Sequence, residues 1–171
     1  MTGLGDRLGA VTGRGDRRLR KRCAARLRDL PMPVPFDVRV LCDQVARHRG
    51  RPIRLVPMAG LTGVCGLWLA TDEADLICYE AATSPPHQDH IILHELAHVL
   101  CDHYPSSLPE GAASLLPSLD PAMVRRVLAR AGYSTEEERE AELLASLIRQ
   151  QARTGGTPAD RLRSALGGAD A

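Results

Sequence analysis

A mixed α+β fold, with a small antiparallel sheet packed against mainly helical elements, is what this sequence predicts. Three observations point there. The chain has 171 residues, enough for one ordinary domain. Apolar residues recur at helical spacing on both sides of its middle. Between residues 52 and 80 the pattern changes to short β-type runs broken by turn residues.

The elements follow in order. Residues 1–16 mix Gly, Thr, Arg and Asp without periodicity and read as an unstructured tail. From Asp16 to about Asp29, Leu19, Cys23, Leu27 and Leu30 recur at helical spacing among Arg and Lys, predicting an amphipathic basic helix. Pro31, Pro33 and Pro35 break it. A second helix is expected over Asp37–His48, with Val38, Leu41, Cys42 and Val45 on one face and Gly50 just past its end. Strands are expected over Pro52–Met58, Gly66–Ala70 and Ala74–Glu80, the last two forming a hairpin around Thr71-Asp72-Glu73. Pro85 and Pro86 open a third helix reaching about His103. Residues 105–117 read as loop, and Asp120-Pro121 starts a helix to Arg130. Ser134 or Thr135 starts the last long helix, to about Arg153.

Composition narrows the function classes. With 44% hydrophobic residues but one Phe, one Trp and three Tyr, the core must be aliphatic. So few rings argue against a stacking surface for single-stranded nucleic acid. No apolar run approaches the ~20 residues needed to span a bilayer, and the N-terminus lacks a secretory apolar region. Cys23, Cys42, Cys65, Cys78 and Cys101 form no C-x-x-C pair, so buried free thiols in a reducing, cytoplasmic setting are expected. Residues 1–30 hold nine Arg/Lys against three Asp, net +6; the other 141 hold 13 basic and 18 acidic residues, net −5. The basic run Arg17-Arg18-Leu19-Arg20-Lys21-Arg22 reads first as a solvated helix face or tail, and only after that as a docking arm.

The chemistry sits in Ile91-Ile92-Leu93-His94-Glu95-Leu96-Ala97-His98-Val99-Leu100. Four residues make slightly more than one helical turn, so His94 and His98 share a face and can converge on one Zn²⁺. Glu95 is displaced around the helix, placed to act as general base rather than ligand. A divalent metal acidifies water and polarises a carbonyl, the combination that amide hydrolysis needs. A catalytic zinc takes a third protein ligand. Its best source is the Glu-rich start of the last helix, Thr135-Glu136-Glu137-Glu138-Arg139-Glu140-Ala141-Glu142. On a helical wheel Glu137 lies nearest the apolar face and Glu138 towards its edge, and periodicity alone does not choose between them. His90 is one turn too far to share the metal and is a candidate to line a cleft; His87, Cys101 and His103 are weaker. Tyr79, Tyr104 and Tyr133 are candidates to stabilise an oxyanion.

His94-Glu95-Leu96-Ala97-His98 followed by Glu138-Arg139-Glu140-Ala141-Glu142-Leu143-Leu144-Ala145 resembles the ImmA/IrrE family of gluzincin-like metallopeptidases over roughly residues 37–150. The resemblance implies a zincin-like domain, one Zn²⁺ per chain held by His94, His98 and Glu138, and Glu95 as catalytic base. Where the family has Asn or Asp as a partner for a ligand histidine, this chain has Glu142. The resemblance also implies that the strand before the zinc helix, Leu76–Glu80, lies beside the cleft and holds an extended substrate. Members act on a helix-turn-helix repressor; for this chain the expected partner is such a repressor as a separate protein, and nucleic acid is not an expected partner. The organisation read from this is a tail (1–16), a basic arm and Pro-rich linker (17–36), a metallopeptidase-like domain (37–153) and a second tail (154–171). The expected function is zinc-dependent hydrolysis of a peptide bond in a regulatory protein. The alternative is a zinc-stabilised regulatory module that binds without cutting, or a component of a toxin–antitoxin pair.

Overall fold

In the computed structural model, which describes residues 5–60, 65–71, 73–103 and 133–154, the H-E-x-x-H segment is the helix around which the rest is arranged. The elements are α1 (Gly5–Arg28), α2 (Val38–Arg49), β1 (Ile53–Met58), β2 (Gly66–Ala70), β3 (Asp75–Glu80), α3 (Pro85–Cys101) and α4 (Thr135–Thr154). Mixed α+β architecture is therefore as the sequence predicts. The expected helix over 121–130, the 105–117 loop, Tyr104 and the 155–171 tail lie outside the described residues.

The sheet differs from expectation. Its order is β1-β3-β2; β2 and β3 form the expected antiparallel hairpin, but β1 runs parallel to β3, so the sheet is mixed. The hairpin is local and its turn chemistry legible. Thr71 Oγ1 donates to the Ala74 carbonyl at 2.8 Å and accepts from the Ala74 and Glu73 amides at 3.0 and 3.3 Å. The pairing of β1 is non-local, and its alternating pattern does not encode strand direction.

Side chains alternate across the sheet. Trp68, Ile77 and Tyr79 point to the helices and join the main core with Ile92, Leu93, Leu96, Leu144 and Ile148. Leu67, Leu69, Leu76 and Cys78 are buried on the opposite face. From Ile91 onward α3 is sandwiched between the sheet and α4 and is buried nearly all round, whereas its first turns, 85–90, are polar and more exposed.

Helix ends are set by capping groups. Asp37 caps α2 by accepting from the Arg39 and Val40 amides, and Gly50 ends it at φ 65°. At the far end of α3, Asp102 takes a left-handed conformation (φ 55°), its N–H bonding back to the His98 and Val99 carbonyls. Arg49 reaches across to the Val99 carbonyl and the Asp102 carboxylate, closing that end.

Two expectations about the N-terminal region change. The first helix begins at Gly5, inside the segment read as an unstructured tail. Apolar spacing reports only the face a helix buries, and burial of its described side chains starts at Leu19. Leu19 and Cys23 also share one core with α3 and α4, so the boundary drawn before residue 37 divides residues that pack together. Four cysteines are buried free thiols as expected, whereas Cys65 is exposed. No helix among the described residues is long and apolar enough to cross a membrane.

Candidate metal centre

Packing of α4 against α3 brings the sequence candidates together. His94 Nε2 and His98 Nε2 are 3.2 Å apart. The Glu138 carboxylate meets both, with Oε2 3.2 Å from His94 Nε2 and Oε1 3.7 Å from His98 Nε2. One donor atom from each of the three lies within 4.8 Å of the others, close enough to hold a single metal ion.

At the start of α4, Glu137 and Glu138, which periodicity did not rank, make different contacts. Glu137 is spent on a capping box: Ser134 N–H donates to its carboxylate at 2.7 Å, and the Glu137 N–H donates to Ser134 Oγ at 3.3 Å. Those bonds, the main-chain one first, hold the Glu137 carboxyl below its usual pKa. Glu138, one position on, faces the histidines. Glu142 sits a turn further along α4 and reaches back, its Oε2 3.5 Å from His94 Nδ1. The longer side chain thus contacts the ring nitrogen that His94 turns away from His98.

The site's electrostatics suit a metal. His98 is fully buried, and burial first, then the neighbouring His94 and His103, pushes its pKa down to about 3. A neutral imidazole is the form that ligates. Tyr133 stacks on the His98 ring with centroids 3.5 Å apart and planes 12° from parallel. Its hydroxyl is buried without a hydrogen-bond partner among the described residues. Burial, then the carboxylates of Glu95, Glu138 and Glu137, raises the Tyr133 pKa well above the ordinary phenol value, which keeps the proton on it.

Glu95 lies on the sheet side of α3, 5% exposed. Burial, and secondarily the charge of Glu138, raises its pKa to about 8, opposed only by a hydrogen bond from the Trp68 main chain. Its Oε2 has no hydrogen-bond partner among the described residues. The strand comes this close because position 66 is Gly. A Cβ there would lie 2.5 Å from Ile91 Cγ2 and 2.9 Å from Glu95 Oε1. A carboxylate buried with no counter-charge among the described residues is costly, which makes Glu95 a candidate for a chemical role.

A cleft of about 600 Å³ opens beside two of the candidate ligands, His94 and Glu138, walled also by Leu19 and Arg20 of α1 and by Glu142 and Ser146 of α4. Its α1 wall was invisible to sequence reasoning, which placed the basic segment outside the domain. His90 does not face this cleft; it lines a smaller one with Phe36 and Leu93, its Nδ1 3.0 Å from Arg149 Nη1. His87 contacts Thr83 near the start of α3. Tyr79 is buried on β3, whose two edges are both paired. Leu76–Glu80 therefore has no free edge to accept a substrate strand. The strand that runs beside Glu95 is β2, which has one partner among the described residues.

No family model matches the chain, and a search of curated proteins finds no match.

Proposed function

We propose that this chain is a zinc-dependent peptidase of the ImmA/IrrE kind. The observation that carries the reading is the convergence of His94, His98 and Glu138 next to Glu95, a buried carboxyl with no neutralising cation among the described residues. Zinc at His94, His98 and Glu138 would supply a Lewis acid that polarises a peptide carbonyl and acidifies water. Glu95, with a pKa near neutrality, removes a proton from the attacking water and returns it to the leaving amine. The Tyr133 hydroxyl, held protonated beside His98 and without a hydrogen-bond partner among the described residues, is a donor for the oxyanion. β2, beside Glu95, has one partner strand among the described residues, which supports binding of an extended substrate backbone next to it. The regulatory character of the substrate, a helix-turn-helix repressor, is carried by the family resemblance alone.

The test is metal content and peptide hydrolysis of the purified chain, with His98→Ala and Glu138→Ala beside it. About one zinc per chain, lost in both variants, is expected. Zinc lost with His98→Ala but kept with Glu138→Ala would move the third ligand to another carboxylate. A parent protein that takes up no zinc after reconstitution would sink the peptidase reading. Glu95→Gln separates cutting from binding: a biological output that survives it belongs to a non-cleaving module.

A further inference from the structure

Behind His98, on the side away from Glu138, runs a second polar chain that this chemistry does not use. His103 Nδ1 lies 3.2 Å from His98 Nδ1. His103 Nε2 lies 3.5 Å from Glu140 Oε2. Glu140 is gripped by Arg22, which donates from Nε at 3.1 Å and from Nη2 at 2.8 Å. His98, His103 and Glu140 are all buried. The left-handed turn at Asp102 makes this possible, curling the chain so that the His103 N–H bonds the His98 carbonyl at 3.0 Å and the two rings meet edge to face.

Proton positions along this chain are mutually determined. If His98 offers the lone pair of Nε2 to a metal, its proton is on Nδ1. That N–H needs an acceptor, so His103 Nδ1 must carry a lone pair and His103 Nε2 the proton. The proton on Nε2 then faces Glu140. In the opposite arrangement His103 donates to His98 Nδ1, and the His98 proton moves to Nε2, where it blocks ligation. A carboxylate at the end of the chain favours the first arrangement, and Arg22 supplies the counter-charge that a buried carboxylate needs.

Cys101, His103 and Glu140 also lie close enough together to hold a metal ion of their own. Both ring nitrogens of His103 are already engaged, however, and a cation there would face the Arg22 guanidinium. The geometry favours a relay over a second metal centre.

We propose that His103 and Glu140, braced by Arg22 of the N-terminal helix, are positioning residues that hold His98 in its Nδ1–H tautomer with Nε2 free for the metal. The proposal rests on the metal site proposed above. It makes α1 part of that site, since Arg22 lies 118 residues before Glu140.

The experiment uses the full chain and two readouts that do not need activity. One is zinc affinity by competition with a chromophoric chelator; the other is the imidazole ¹⁵N–¹H spectrum of the zinc-loaded protein. His103→Phe should weaken zinc binding about 10–100-fold and shift or abolish the hydrogen-bonded His98 Nδ1–H signal. Glu140→Gln should cost about tenfold, and Arg22→Gln less, with the signal shifted in both. Zinc affinity within twofold of the parent in folded His103→Phe, with the His98 signal unmoved, would overturn the relay while leaving the metal site standing. Should His103→Phe fail to fold, Arg22→Gln decides, because this side chain is 48% exposed and unchanged affinity and spectrum there overturn the relay equally. Two zinc ions per chain, one lost with Cys101→Ser, would overturn it in favour of a second metal centre. Zinc affinity insensitive to His98→Ala would instead bring down the metal site and the relay together.

Discussion

Asp75 and Glu95 are two buried carboxylates that share a neighbour. The indole N–H of Trp68 donates to Asp75 at 3.2 Å, while the main-chain N–H of the same residue serves Glu95. Each leaves one oxygen without a hydrogen bond among the described residues, so hydrogen-bond counting does not separate them. Counter-charge does. Arg51 Nε lies 3.1 Å from Asp75, and the same guanidinium donates to the Ala74 carbonyl at 3.0 Å and to the Thr71 carbonyl. That knot pins the hairpin turn to the start of β1. Among the described residues Glu95 meets no cation; burial, and after it the repelling charge of Glu138, raises its pKa to about 8. One carboxylate is arranged to hold the sheet together, the other to hold a proton near neutral pH.

Neutral substitutions break this comparison most sharply. Glu95→Gln should lower hydrolysis by zinc-loaded protein about 10²–10⁴-fold, the usual worth of a general base, while zinc affinity stays within a few-fold. It should also leave the melting temperature unchanged or raised, because the amide is neutral, as is the protonated carboxyl that burial favours. Turnover of a labelled unstructured protein and thermal melts read both. A variant that keeps its turnover, or melts much earlier, would make Glu95 structural. Asp75→Asn should do the reverse. Breaking a buried ion pair costs about 3–5 kcal/mol, and the partial exposure of Arg51 brings the expectation down to about 2–3 kcal/mol in denaturant unfolding. Its effect on turnover should track the folded fraction alone.

Much of this was legible in the sequence, and what was not has a physical reason. H-E-x-x-H in an apolar helix places His94, Glu95 and His98 from spacing alone, and the structure keeps that helix. The third carboxylate was narrowed to the start of α4. Selecting Glu138 from within the sequence required seeing that Ser134 and Glu137 form a capping box. The signal was present, a Ser three residues before a Glu. The direction of β1 was not legible, because it depends on which sheet edge stands open once the hairpin has formed. Nor was the role of Arg22: a basic run looks the same whether it is solvated or, as here, sends one guanidinium to a buried carboxylate far along the chain.

Gly66 tests whether proximity of the strand to Glu95 matters. A methyl at Gly66 would meet Ile91 Cγ2 at 2.5 Å and Glu95 Oε1 at 2.9 Å, so β2 or α3 must shift. Overpacking of this kind costs about 1–3 kcal/mol. Gly66→Ala should therefore destabilise the fold and, in the folded fraction, lower turnover by displacing Glu95. Replacing Arg51, at the other end of the same hairpin, should lower stability without that second effect. Equal loss of turnover per folded molecule in both would mean that Gly66 serves the sheet and not the site.

The smallest expected effect concerns the same contrast within one helical turn. The Glu137 charge is met by the Ser134 N–H and lies at the N-terminal end of α4, where the helix dipole favours it, whereas Glu138 faces two imidazoles. Ser134→Ala removes half of the capping box and should cost about 1 kcal/mol in denaturant unfolding. Zinc affinity should move less than twofold, because Glu138 is placed by the packing of α4 on α3 rather than by the cap. Glu137→Gln should behave in the same way. A tenfold loss of zinc with Glu137→Gln, at unchanged stability, would show that this carboxylate leaves its cap to join the metal, and would reverse the assignment of the two residues.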